Sequence, residues 1–395
     1  METNSKAGFT SRHEKQQPMP DARRKVKIRV GVIFGGRSAE HEVSLVSAAS
    51  IIGAFDKDKY DVVPIGITPD GKWLSSPDAV ALLKSKNYSG ASHDAIILPD
   101  PREPIKGTLI GGDMKPFDVL FPLVHGKYGE DGCIQGLFEL AELPYVGAGV
   151  LGSAIGMDKV ITKQLCEHDD IPVAPYIWFI MNDFQRTSSK ILTAIERKLH
   201  YPCFVKPANS GSSIGISKAH DGKELIQAIA LAAEFDTKIL VEKSIEEARE
   251  IEVSVLGGDD PVASVPGEII SSNEFYDYDA KYVDGKSEAV VPANMVGRSM
   301  KKLQEYAIRS FRATDCFGMA RVDFLVKKKT NVIYFNEINT IPGFTSISMF
   351  PKLWEASGIP FQRLLDRLVG LAIERHARKQ RMKTSIEPKT DWYKR

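Results

Sequence analysis

The chain has 395 residues, with 52 Lys and Arg against 51 Asp and Glu, for a formal net charge of +1. Such near neutrality excludes the broad positive field of a nucleic-acid binder, and the length exceeds one ordinary hydrophobic core, so two or three domains are expected. A hydrophobic content of 43% and a charged content of 26% are those of a soluble globular protein, and no run approaches the roughly 20 apolar residues that span a bilayer, which excludes a membrane protein.

Residues 1–25 are polar and charged, lack the apolar stretch of a signal peptide, and read as a disordered tail. The run Ile28 to Phe34 is a buried strand. Gly35 and Gly36 break it, and a helical pattern follows from Glu40 to Phe55, then a second strand from Val62 to Ile67. Strand, glycine turn, helix and strand are how a parallel α/β sheet begins. Residues 75–114 carry no sharp signal. Val119 to Val124 forms another strand, ending at the segment His125 to Gly132, and a helix follows from Ile134 to Ala141. Glycines 147, 149 and 152 mark the exit from this first domain.

From Ser153 a helix carrying Met157, Asp158 and Lys159 opens a second domain, with short strands around Cys203–Lys206, Gly215–Lys218 and Ile239–Glu242. A third begins with the alternating strand Glu250 to Val255, passes through a Tyr-rich loop (271–287) suited to a mobile lid, and ends in a helix from Phe361 to Arg378. The fold class expected is α/β, in three domains spanning 26–149, 150–246 and 247–395. The four cysteines lie far apart and form no CxxC pair, which excludes a zinc cluster or disulfide scaffold and fits idle thiols in a reducing cytoplasm.

Three segments carry chemistry. In the first, Lys206 ends an apolar strand and a Ser/Gly-rich loop runs to Gly215, where bare backbone N–H groups and the hydroxyls of Ser212 and Ser213 can approach a phosphate. In the second, the strand from Ile239 runs into Glu242 and Lys243. Its end can present backbone groups to an adenine edge with Lys243 above, while Glu250 accepts from ribose hydroxyls. The third is a β-hairpin, Gly318 to Val326 and Val332 to Asn339, turning near Thr330. Alternation puts Arg321 and Asp323 on one face, and Glu337 and Asn339 on one face. With that turn, 323 pairs with 337 and 321 with 339. Two carboxylates and an amide oxygen then converge, a set that suits a hard cation beside phosphate, with Arg321 to stabilise developing negative charge.

Together with the segments 35–45, 125–136, 157–159 and 275–282, these residues resemble the ATP-grasp superfamily, and within it the D-alanine–D-alanine ligases. The resemblance covers Val26 to Arg378 and implies a three-domain ATP-grasp fold, a parallel α/β domain followed by two α+β domains gripping ATP. It implies that Lys159, Lys206, Ser212, Ser213, Glu242, Lys243, Ile245, Glu250, Lys281 and Asn336 belong to the ATP site. Asp323, Glu337 and Asn339 would hold two Mg²⁺ ions, with Mn²⁺ able to substitute. Glu40 and His125 would receive the first D-alanine, and Ser348 and Met349 the carboxylate of the second. Glu40, Ser212 and Tyr282 would form a closing hydrogen-bonded set, and Arg321, Lys281 and the backbone of Gly343 would act on the reacting acyl group. Implied too are a cytoplasmic homodimer and a role in supplying peptidoglycan precursor.

Three rival readings stand beside this one. A D-alanine–D-lactate ligase of the same family is set against Tyr282, because some depsipeptide makers carry Phe there. A dinucleotide oxidoreductase rests on the GxGxxG match at Gly147–Gly152, which lacks a proper preceding strand and a βαβ unit. A non-catalytic grasp protein would have lost Arg321 or a metal ligand, and none is lost.

Overall fold

The computed structural model describes residues 26–86, 88, 93–101, 107–110, 116–270 and 288–386. The expected N-terminal tail and the 271–287 lid, with Lys281 and Tyr282, lie outside the described residues. In the first sheet β1 (Ile28–Gly35) is flanked in parallel by β2 (Tyr60–Ile67) and by β6 (Val119–Pro122), with α1 (His41–Ala54) as the first crossover. Strand β3 (Trp73–Ser75) borders the segment that was silent in sequence, which supplies α2 (Ala79–Ser85), β4 (His93–Leu98) and β5 (Gly107–Ile110); the three strands extend the sheet antiparallel from β2. Helix α3 (Cys133–Leu140) follows the sheet.

The single helix expected through Met157, Asp158 and Lys159 is two. Helix α4 spans Val150–Met157 and α5 spans Lys159–His168. Asp158 between them is extended, with ψ 99°, and its carboxylate caps the new helix by accepting from Val160 N at 3.0 Å and Ile161 N at 3.1 Å. A carboxylate that satisfies orphan N–H groups and faces the positive end of a helix dipole makes a strong start signal, and it overrides the run of helix formers. The last glycine of the GxGxxG match serves packing, since a Cβ on Gly152 would lie 2.3 Å from Asp315 O, and α4 is followed by a helix, not a strand.

A four-stranded antiparallel sheet follows, ordered β7 (Tyr176–Ile180), β10 (Lys238–Lys243), β8 (Cys203–Pro207), β9 (Ser217–Ala219), with α6 (Met181–Leu199) and α7 (Gly222–Ala233) packed on it. The last sheet is built on β11 (Ala248–Gly257), with β12 (Val262–Ala263), β13 (Gly267–Ile270) and β14 (Glu288–Val290) to one side and the hairpin β15 (Gly318–Lys327) and β16 (Ile333–Asn339) to the other. Helix α8 (Gly297–Ala313) packs Leu303 and Phe311 onto Val253, Val322 and Phe324 of this sheet, together with Cys166 and Ile171 from α5 and its exit. Helices α9 (Met349–Ala356) and α10 (Phe361–Lys379) close the chain, and Leu364, Leu365 and Leu368 of α10 share one core with Val30, Val32 and Phe121 of the first sheet.

The hairpin has the register expected at its functional end: Asp323 faces Glu337 and Arg321 faces Asn339. Nearer the turn the ladder runs Phe324 to Phe335 and Val326 to Ile333, so a bulge lies between, with Asn336 as the extra residue. A straight ladder from the turn would have put Asp323 opposite Asn336 and sent Glu337 to the other face. The bulge brings the second carboxylate to the same side as the first.

Candidate active site

The bulged hairpin, the end of β8 and the start of α5 bring their polar side chains to one place. Arg321 is bidentate to Asp323, with Nε donating to Oδ1 at 2.8 Å and Nη2 to Oδ2 at 2.7 Å. Its Nε also lies 2.9 Å from Glu252 Oε2. Asn339 Nδ2 donates to Asp323 Oδ2 at 3.0 Å. Across the ladder, Glu337 Oε2 is 3.2 Å from Lys159 Nζ, which also donates to Ser210 O at 2.7 Å. The two facing carboxylates are thus each held by a cation, Asp323 by Arg321 and Glu337 by Lys159.

Lys206 ends β8 next to Glu242 of β10, with which it forms an ion pair, and it donates to Asn336 Oδ1 at 3.3 Å. The bulge residue therefore reaches the lysine that precedes the Ser/Gly loop. Burial alone would raise the Glu242 carboxyl, but Lys163 and Lys206 hold it down to about 2. A cavity of about 690 Å³ opens between the second and third sheets. Lys206, Ser213, Glu242, Lys243 and Ile245 line it from one side, and Glu250, Arg321, Asp323, Asn336 and Glu337 from the other. Its walls combine ammonium and guanidinium groups with carboxylates and strand ends, which suits a polyanion accompanied by a cation.

Beyond the hairpin end, Glu40 lies between two loops and accepts a hydrogen bond from Ser212. A Cβ on Gly126 or Gly211 would come within 2.4 or 2.6 Å of Glu40 Oε2, so a side chain at either position would displace the Glu40 carboxylate. His125 is buried, and its Nδ1 donates to Ile341 O at 3.0 Å, fixing one tautomer. Burial lowers its pKa, which keeps the ring neutral despite the nearby Glu40. Glu130 ties the same region together, accepting from Gly126 N at 2.9 Å and from Ile341 N at 3.0 Å. Burial, then the Glu40 charge, pushes its carboxyl up to about 8. Ser348 precedes α9 as its N-cap and accepts from Thr345 N at 3.0 Å, and a Cβ on Gly343 would meet its Oγ at 2.7 Å. The Met349 side chain is buried with Ile269 and Leu353, so this position offers its backbone N–H at a helix N-terminus, not its thioether.

Of the residues named from sequence, those described fall into two neighbouring groups, one around the cavity and one around Glu40, with Arg321, Asp323 and Asn339 at their border. Asp323, Glu337 and Asn339 fit a hard divalent cation: the donors are oxygens, two of them charged, and they face across one ladder. Among the described residues no group of three His, Cys, Asp or Glu gathers, which leaves the softer transition-metal pattern without a site.

Residues 29–148 match the family described as D-ala D-ala ligase N-terminus, and residues 165–370 the one described as D-ala D-ala ligase C-terminus. The chain belongs to the D-alanine–D-alanine ligase family. A D-alanine–D-alanine ligase of Heliobacterium modesticaldum is 50% identical over 366 residues, covering 92% of this chain and 100% of the relative. Two solved structures, the VanG D-Ala:D-Ser ligase of Enterococcus faecalis and the D-alanine–D-alanine ligase of Coxiella burnetii, each align with TM-score 0.79 at 36% identity. They cover 88% and 90% of this chain, and 100% and 96% of their own. Those two ligases differ in the second substrate they are named for, so the fold of the family does not by itself choose that substrate.

Three site residues of this ligase chain escaped the sequence reading: Lys163, Glu130 and Glu252. Lys163 carried a signal, since it follows Lys159 by four residues and so shares its helix face. Glu252 alternates with Glu250 on one strand face in the same manner. Glu130 lay inside the 125–136 motif, and its partner Gly126 N is local, but its other backbone partner, Ile341 N, comes from a distant part of the chain and leaves no local trace.

Proposed function

We infer that this protein joins two D-alanine molecules into D-alanyl-D-alanine at the expense of ATP, releasing ADP and phosphate. The observation that carries the reading is the bulged hairpin, which faces Asp323 to Glu337 beside Arg321 on the wall of a cavity that also holds Lys206. The cavity between the second and third sheets supports a nucleotide gripped between domains 150–246 and 247–395. Lys159 and Lys206 neutralise phosphate charge, and the strand end at Glu242 to Ile245 with Lys243 takes the adenine, while Glu250 takes the ribose. Asp323, Glu337 and Asn339 would hold magnesium, two ions in this reading and replaceable by Mn²⁺, which would supply charge neutralisation on the phosphates.

Glu40 and neutral His125 receive the first D-alanine, whose carboxylate attacks the γ-phosphorus to give an acyl phosphate. Arg321 and the backbone N–H of Gly343 stabilise negative charge as the amine of the second D-alanine displaces phosphate. Ser348 and the N–H groups at the start of α9 hold the second carboxylate, as helix N-termini hold anions. The family resemblance assigns Lys281 and Tyr282, outside the described residues, to the part of the site where water must be kept from the acyl phosphate. The relatives named for D-alanine favour this product over the D-lactate ester.

Phosphate release from ATP, followed with D-alanine, D-lactate and L-alanine in turn, tests the reading. Release should need D-alanine and a divalent cation together; full activity in excess EDTA, or with L-alanine alone, would sink it. The homodimer belongs to the same proposal, supported by the exposed Leu140, Val150 and Leu151 on adjoining helices, and light scattering at micromolar concentration checks it. No helix among the described residues is long and apolar enough to cross a membrane.

A further inference from the structure

We propose that Lys163 is a positioning residue for nucleotide phosphate, acting through Glu242 on Lys206; this rests on the reading that ATP fills the cavity. Lys163 stands one helical turn after Lys159 on α5, and its side chain is 1% exposed. Its ammonium lies 2.9 Å from Glu242 Oε2 and 6.0 Å from the centre of the Phe335 ring. Glu242 is 3% exposed, and its other oxygen, Oε1, pairs with Lys206. Lys206 and Glu242 line the cavity and Lys163 does not, so Lys163 touches no ligand there.

The three groups form a buried row of two ammoniums sharing one carboxylate, with one net positive charge. A lysine in apolar packing is costly, and Met or Leu would fill that volume without the cost. What the charge achieves is a division of Glu242. With Oε2 occupied by Lys163, only Oε1 is left for Lys206, whose remaining donors point to Asn336 Oδ1 and into the cavity. Without Lys163, Glu242 would pair with Lys206 alone, cancel its charge and draw the ammonium back from the phosphates.

The test is calorimetric binding of ATP, ADP and adenosine to the wild-type chain, Lys163→Met and the double variant Lys163→Met/Glu242→Gln, with circular dichroism to check folding. Lys163→Met should weaken ATP and ADP binding by on the order of ten- to a hundredfold, the worth of a charge-assisted hydrogen bond, and leave adenosine within about twofold. The double variant, in which Lys206 recovers a full charge, should regain the preference for ATP over adenosine that Lys163→Met loses, a ratio in which any loss at the adenine contact of Glu242 cancels. Unchanged ATP binding in Lys163→Met, a parallel loss of adenosine, or no recovery in the double variant overturns the proposal. If Lys163→Met does not fold, a double variant whose preference for ATP over adenosine has fallen about tenfold overturns it as well. A wild-type chain that binds no adenine nucleotide would instead remove the reading on which the proposal rests.

Discussion

Glu337 has two relationships, one to Asp323 across the ladder and one to Lys159 from α5. Because Lys159 already offsets the repulsion between the carboxylates, Glu337→Gln should leave thermal stability nearly unchanged while lowering kcat about a hundredfold or more through loss of a metal ligand. Phosphate-release rates at saturating divalent cation, compared with melting curves, check both halves; an active variant sinks the metal assignment. Glu242 makes a second residue-scale prediction. Its folded-state pKa is depressed to about 2 from an ordinary 4.5, so its contribution to stability is present above that ordinary value and is lost as pH falls toward 2. A depression of that size corresponds to on the order of 3 kcal/mol, at roughly 1.4 kcal/mol per pH unit. Urea midpoints measured from about pH 5 downward should fall more steeply for the wild type than for Lys163→Met/Glu242→Gln. Equal slopes would show that the buried row does not titrate this way. The carboxylates and Lys206 were legible in the sequence because they interrupt apolar strands. The partners of Lys163 and Glu130 were not: the spacing of Lys163 from Lys159 gives its helix face without disclosing Glu242, and nothing local announces that Glu130 meets Ile341.

At the scale of elements, alternation and the position of Thr330 gave the right pairing at the site although the hairpin is not a simple ladder. The bulge at Asn336 was invisible to the period of two, yet it restores the register that a centred turn implies. The α4–α5 break was missed for a comparable reason: helical periodicity runs through Asp158, and only its capping bonds reveal the boundary. Asp158 also pairs with Lys238 at 2.7 Å, linking α5 to the strand that carries Glu242. Asp158→Ala should therefore cost about 1–2 kcal/mol of stability and also raise the KM for ATP, because α5 delivers Lys159 and Lys163 from its first turns. Urea titration and nucleotide-dependent initial rates separate the two effects, and an unchanged KM would show that the cap serves the helix alone. Residues 75–114 stayed dark because short strands with mixed polarity carry little periodic signal.

Across the whole molecule, the C-terminal helix α10 covers the first sheet, so the two ends of the described chain share a core. Arg375 secures that return. Its Nη1 donates to Gly147 O at 2.6 Å and Nη2 to Tyr145 O at 2.9 Å, and its guanidinium stacks 4.3 Å from the Tyr145 ring centre. Arg375→Met would strand two backbone carbonyls and should destabilise the protein by on the order of 3 kcal/mol. Arg375→Lys should rescue only part, since an ammonium cannot span both acceptors in the guanidinium's planar fork. Equilibrium unfolding of both variants checks the order.

The pairing of Lys159 with Glu337 and of Arg321 with Asp323 has a consequence for how charge enters the protein. These side chains serve as built-in counterions, and under the proposed function a nucleotide arriving with its divalent cations would trade places with them, as on an ion-exchange resin: phosphate would take the lysine, and the carboxylates would hold the cations. With the two cations of that reading, the charge of ATP is matched, and little net charge would be gained or lost in such an exchange. Nucleotide offered with its divalent cation should therefore bind with an affinity that declines only gently from about 50 to about 300 mM salt, whereas nucleotide offered with EDTA should show a much steeper slope.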